Sequence, residues 1–269
     1  METIAIIGLG EIGSITYWNF RTIIKNNDLP YHLTGYDVNK ATKSQFPPMH
    51  YSDEFPKADI YIICVWDFKQ ILSVMREIER VYPKEGDYPK LVSIESTIDP
   101  SRLNDLFCID FMTNTNSVVA CPHRYNPNDE THEVFNLDRL IGGMYDEDTN
   151  KGWEFYSQFF QDKRLLHKTT MENAVLSKVV ENAYRFMEIV IAQELKKSCD
   201  KMGLDFLQLR SGVNTKWNID LKEARDGVGG KCLGKDIGLT SKYFEDNDLI
   251  KYMMMLNERY INEKRKENS

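Results

Sequence analysis

No run in this 269-residue chain approaches the roughly 18 apolar residues that span a bilayer, so a membrane-spanning protein is not expected. The start, Met-Glu-Thr followed at once by Ile-Ala-Ile-Ile-Gly, lacks the basic segment and long apolar stretch of a signal peptide. Cysteine is sparse and scattered: Cys64, Cys108, Cys121, Cys199 and Cys232 form no CxxC pair. An odd count without secretion signals argues against a disulfide framework. Histidine is equally thin, with five residues and neither HExxH nor HxxxH spacing, so no metal is expected; His50, His132 and His167 read as surface or satisfied histidines. Basic charge is not in excess. A net charge of -7 and a pI near 5.4 exclude a general binder of nucleic acid or anionic membrane. What remains is a chain 42% hydrophobic and 28% charged with mean hydropathy -0.48, which reads as a soluble, cytoplasmic globular protein. Its 31.4 kDa fits one large domain or two ordinary ones.

Glycine is not abundant, but its placement is informative. Of fifteen glycines, three fall in residues 8–13 and five in residues 227–238, marking two places where backbone must come close to something. Residues 3–7 read as a buried strand, 12–25 as a helix, 31–36 as a second strand ending at Asp37, and 59–65 as a third. A helix near 69–81 and strands at 91–94, 118–121 and 139–143 follow. This alternation predicts an α/β fold with a parallel, doubly wound sheet over about 165 residues. From Met171 to Met202 the pattern is one long helix, with Gly203 placed to end it. A second long helix is predicted from Asp236 to Glu263, giving an all-helical second half. The expected division is residues 1–168 and 169–269.

Gly8-Leu9-Gly10-Glu11-Ile12-Gly13 is a GxGxxG that closes a strand and opens a helix, and Asp37 ends the next strand. That context makes it a dinucleotide fingerprint, with pyrophosphate at the helix N-terminus. Asp37 would accept from a ribose 2′-hydroxyl and repel a 2′-phosphate, favouring NAD over NADP. Lys178 and Asn182, four apart, share one face of the long helix and are suited to hold an oxyanion. In Gly227-Val-Gly-Gly-Lys-Cys-Leu-Gly-Lys-Asp236, Cys232 lies in a glycine-rich loop between lysines just before a helix, a setting that lowers a thiol pKa. A cysteine that is only a small buried hydrophobe does not account for four surrounding glycines.

The segment 227–236 resembles the GxGGxCxxKD active-site loop of the UDP-glucose/GDP-mannose dehydrogenase family. Residues 172–185, continuing to Gln193-Glu194-Leu195 and Met202-Gly203-Leu204-Asp205, are similar to that family's central helix. Glu95-Ser96-Thr97 and Pro122-His123-Arg124 fall at its Ser-Thr and Pro-Glu motifs. The resemblance implies an N-terminal Rossmann sheet, then a helical central domain that pairs two subunits. It further implies oxidation of a nucleotide-sugar primary alcohol to a carboxylate with two NAD, on the way to polysaccharide precursors. By the same carry-over, Cys232 captures the aldehyde, Lys178 and Asn182 stabilise oxyanions, and Asp236 positions water. Thr97 and His123 then line the reacting centre, and Lys235 joins Gly8, Gly10, Glu11, Ile12, Gly13 and Asp37 at the cofactor.

Three departures from the family pattern stand out. His123 replaces the family's glutamate, a change consistent with a neutral histidine base or with a different substrate. Gly234 replaces a common proline. The chain ends near Asn257–Lys264, where the family continues into a further nucleotide-gripping domain, and 216–219 has no counterpart to its usual arginine. Two other readings stay open at this level. One is a β-hydroxyacid dehydrogenase like 3-hydroxyisobutyrate dehydrogenase, suggested by Ser96-Thr97, Lys178, Asn182 and Lys235-Asp236. The other is a non-autonomous NAD-binding module or pseudo-enzyme, or one piece of a split dehydrogenase, with a separate chain supplying a nucleotide-binding domain.

Overall fold

Two stretches of apolar sequence face opposite sides of one sheet, and this is what builds the first half. Along β1 (Glu2–Ile7), Ala5 and Ile7 join one cluster of buried side chains, and Ile4 and Ile6 join another. β3 (Ile60–Ile63) divides the same way, Tyr61 and Ile63 against Ile60 and Ile62. Strands apolar on both faces need helices on both sides, the condition for a doubly wound sheet. The computed structural model describes residues 1–46, 50–82, 88–107, 117–126, 132 and 134–267; Cys108 lies outside them. It divides into two compact units, Met1–Lys178 and Val179–Ser269.

The first unit adds α1 (Glu11–Asn26), β2 (Tyr31–Tyr36), α2 (Phe68–Val81), β4 (Leu91–Ile94) and the short α3 (Leu103–Phe107). It continues through β5 (Ser117–Ala120), β6 (Arg139–Gly143), α4 (Asp146–Tyr156) and β7 (Leu166–Thr170). The strand order is β2-β1-β3-β4-β5-β6-β7. Beyond β2, Gly35 forms a parallel bridge with Tyr51, a one-residue remnant of an outer strand. The order therefore reverses between β1 and β3, the point in such sheets where ligands settle beyond the strands' carboxyl ends.

Three sequence expectations change. The sheet is not wholly parallel, because β6 pairs with β5 antiparallel. β7 was not foreseen: Leu-His-Lys-Thr-Thr is polar and mostly exposed, the signature of an edge strand rather than a buried one. The long helix predicted at 236–263 is two helices, α7 (Lys235–Tyr243) and α8 (Asp248–Glu267). The break occurs because Asn247 Oδ1 accepts from the Ile250 N–H at 3.2 Å and so caps a new helix start.

The helix α5 (Met171–Met202) matches its predicted span. It ends where Gly203 takes φ +68°, with Leu204 N–H donating to the Cys199 carbonyl and Gly203 N–H to that of Asp200. This paired closure satisfies carbonyls a helix otherwise leaves open. Asp205 then caps α6 (Phe206–Val213) through the Leu207 and Gln208 N–H groups. In the second unit, Ala183, Phe186, Ile189 and Val190 of α5 pack with Ile237, Ile250 and Leu256. Among the described residues no helix is long and apolar enough to cross a membrane.

Candidate active site

The glycine loop follows β1 and owes its shape to contacts no side chain would permit. Gly8 has φ +89°, and a Cβ there would sit 2.6 Å from the Cys64 carbonyl oxygen. A Cβ on Gly13 would fall 1.7 Å from the Gly8 carbonyl oxygen, so α1 packs on the loop only without one. Gly10 differs, since its Cβ would meet nothing within 4 Å. Gly10 is also the N-cap of α1 and offers no side-chain cap, leaving first-turn N–H groups for an anion. Glu11 is exposed and Ile12 half-buried in that turn. Asp37 accepts from the Leu9 N–H at 2.6 Å and the Asn39 N–H at 2.7 Å. A carboxylate has about four lone-pair sites, so capacity remains for ribose hydroxyls. Open space over Gly10, a bare helix end and an acidic acceptor beside them fit a dinucleotide.

The ends of β3, β4 and β5 are laced together by the next group of residues. Glu95 and Ser96 N–H both donate to the Ile63 carbonyl, and Ser96 Oγ accepts from the Val65 N–H at 2.8 Å. His123 N–H donates to the Glu95 carbonyl at 3.1 Å, which ties the end of β5 to the end of β4. Lys178, from α5, is close enough for its charge to act on His123. The His123 ring is buried, its Nδ1 accepting from the Tyr125 N–H at 3.0 Å. Burial, then Arg139, then Lys178 push its pKa well below the ordinary histidine value. His123 and Lys178, both singled out from sequence, thus come together within the first unit; Thr97 lies two residues after Glu95, just past the end of β4.

Beneath them lies a network that sequence reasoning missed. The buried Glu95 carboxylate accepts from Tyr156 Oη at 2.8 Å and Thr16 Oγ1 at 3.2 Å, and pairs with the buried Arg139 at 3.0 Å. Arg139 also donates to the Cys121 carbonyl. The Cys64 thiol, 3.8 Å from Glu95, is raised well above the usual range by burial and by that carboxylate. Burial lifts Cys121 to about 12.

In the second unit, Cys232 is exposed on a π-helical turn, Gly230–Gly234. Such turns are rare and concentrate at functional positions. Two residues of α8 pin the loop. The Asn257 amide pairs with both backbone groups of Val228, at 2.7 and 2.8 Å, and Gly227 at φ +105° leaves no room for a Cβ against Ile261. Nothing in the sequence marked Asn257. Just after the turn, Asp236 is buried in the first turn of α7 and accepts from Asn182 Nδ2 at 2.6 Å. Asn182 therefore orients Asp236 and keeps a second N–H to offer. Lys235 N–H donates to the Cys232 carbonyl, and its Nζ lies 3.7 Å from Asp236. Cys232, Asn182, Asp236 and Lys235 form one group; Lys178 precedes Asn182 by one helical turn of α5.

Comparison with known proteins bears on both groups. The family model for the UDP-glucose/GDP-mannose dehydrogenase NAD binding domain matches residues 36–160, and that for the central domain matches 172–264. The chain belongs to the UDP-glucose/GDP-mannose dehydrogenase family, and its N-terminal unit is an NAD-binding domain. The glycine loop precedes the matched span, so its assignment rests on the geometry above. A UDP-N-acetyl-D-mannosamine dehydrogenase of Methanococcus vannielii is 26% identical over an alignment 271 positions long that covers 88% of this chain and 60% of that protein. The chain thus spans about 60% of the length of such relatives. A solved UDP-N-acetyl-mannosamine dehydrogenase of Pyrococcus horikoshii superposes with TM-score 0.82 at 24% identity, covering 96% of this chain and 68% of that one. A 3-hydroxyisobutyrate dehydrogenase of Mycobacterium tuberculosis shares the fold, with TM-score 0.71 at 12% identity over 97% and 93% of the two chains.

Proposed function

We propose that this chain carries the cofactor and catalytic parts of an NAD-dependent oxidoreductase. The substrate is a nucleotide sugar, of the UDP-N-acetylhexosamine type named for its relatives, whose primary alcohol is oxidised to a carboxylate. The observation that carries this reading is the cysteine turn: an exposed thiol on a pinned π-helical loop beside a buried Asn182–Asp236 pair. A buried structural cysteine needs none of that scaffolding.

Gly8, Gly10, Gly13 and Asp37 would hold NAD, with Lys235 near it, and the bound nicotinamide supplies a hydride acceptor. The alcohol gives up a proton and a hydride to become an aldehyde. The Cys232 thiolate adds to the aldehyde carbon, forming a C–S bond while the carbonyl oxygen becomes an oxyanion. Lys178 and Asn182 hold that oxyanion, with Thr97 and His123 close to the reacting centre. Loss of a second hydride from the same carbon, to a second NAD taken up in exchange for the first NADH, would leave a thioester. Water, positioned by Asp236, adds to it; the C–S bond breaks, releasing carboxylate and thiol. Covalent capture keeps the aldehyde from escaping between oxidations.

A homodimer fits the same reading. α5 carries a second apolar stripe, Val180, Tyr184, Ile191 and Leu195, which stays exposed opposite its buried face. A helix of 32 residues, roughly 48 Å long, offers that stripe to a second copy of the chain. The reading is tested by screening UDP-, GDP- and CMP-sugars and small hydroxyacids for NADH formation. A UDP-N-acetylhexosamine should be oxidised by the native chain and not carried to carboxylate by Cys232→Ala. Turnover of hydroxyacids alone would overturn the proposal.

A further inference from the structure

The tautomer of His123 is fixed by its own loop. A backbone amide only donates, so the Tyr125 N–H at 3.0 Å requires a bare lone pair on Nδ1, and the proton of the neutral ring sits on Nε2. That Nε2 is buried and has no hydrogen-bond partner among the described residues. Buried donors in native proteins are nearly always paired, so this one calls for a partner. Among the described residues none supplies it. The charged groups around the ring are Arg139 of β6 and Lys178 of α5, both donors only, while Glu95 is already engaged with Arg139 at 3.0 Å. The ring of Tyr125 meets His123 edge-on at 5.9 Å.

We propose that His123 is a fixed hydrogen-bond donor whose Nε2–H, beside Lys178, binds a negatively polarised substrate oxygen, and that it is not a base. The identity of that oxygen, a carbonyl or alkoxide of the oxidised carbon, rests on the functional reading above; the tautomer does not. With Nδ1 turned to Tyr125 and Nε2 protonated, the ring has no free lone pair to take a proton. Two cationic neighbours oppose a second proton and favour an acceptor carrying negative charge. The hydrolytic step then depends on Asp236 and its water.

The test is nitrogen-15 NMR of the full chain with labelled histidine, the His123 signal assigned by its loss in His123→Gln. The expected result is a proton-bearing Nε2 and a bare Nδ1, unchanged between about pH 5.5 and 8. A ring protonated on Nδ1, or titrating near 6.5, would overturn the inference. A kinetic arm uses UDP-N-acetylmannosamine. Removing the donor in His123→Leu should lower kcat about 10²- to 10³-fold with a smaller change in KM. His123→Gln, which keeps an N–H, should recover most of that loss, and His123→Glu should not. Rescue by glutamate in preference to glutamine would mark a base and defeat the proposal. If no nucleotide sugar is oxidised, the functional reading fails while the NMR result still decides the donor assignment.

Discussion

The four described cysteines differ in exposure, and their reactivity should follow. Cys232 is exposed, Cys199 and Cys121 are buried, and Cys64 is held in its thiol form by burial and by Glu95. Iodoacetamide should therefore modify Cys232 first in the native protein, with nucleotide sugar and NAD slowing it. Equal labelling of Cys64, Cys121, Cys199 and Cys232 would remove the nucleophile from the account. His123 makes a second prediction through pH. Its folded pKa is depressed, so the unfolded chain binds the proton more readily. The histidine's contribution is then neutral above about pH 6.5 and increasingly destabilising as pH falls below it. Urea unfolding midpoints measured downward from pH 7 should fall faster for the native chain than for His123→Gln. At this scale the legible residues were those in local patterns, such as Gly8, Gly10, Gly13, Cys232 and Asp236. Arg139 and Asn257 were not legible, because their partners Glu95 and Val228 lie 44 and 29 positions away.

The elements show why some substitutions separate folding from function. Gly13→Ala would drive a Cβ into the Gly8 carbonyl and should unfold the loop, seen as a lowered Tm and lost NAD binding. Gly10→Ala meets open space within the protein, so Tm should hold while the Kd for NAD rises about tenfold, on the order of 1.4 kcal/mol. Equal effects of both would contradict the cradle. The Glu95–Arg139 pair joins the end of β4 to β6. Arg139→Met alone strands a buried carboxylate and should cost about 3–5 kcal/mol in chemical denaturation. Adding Glu95→Gln should return part of it. Helices were read well where their periodicity was strong, as in α5. The α7–α8 break was missed because one capping asparagine, Asn247, outweighs an apolar pattern that runs through it. β7 was missed because an exposed edge strand carries no alternation to read.

The chain holds an NAD-binding unit, followed in sequence by a helical unit bearing the cysteine turn. Sedimentation should give a dimer at micromolar concentration, and Ile191→Glu on the exposed stripe should shift it toward monomer. A native monomer would contradict the pairing. Covalent capture at Cys232 between two oxidations fixes the stoichiometry of the reaction. The count of NADH formed per nucleotide sugar consumed should be two for the native chain, with carboxylate as the product. A count of one, with an alcohol merely converted to a carbonyl compound, would contradict the account.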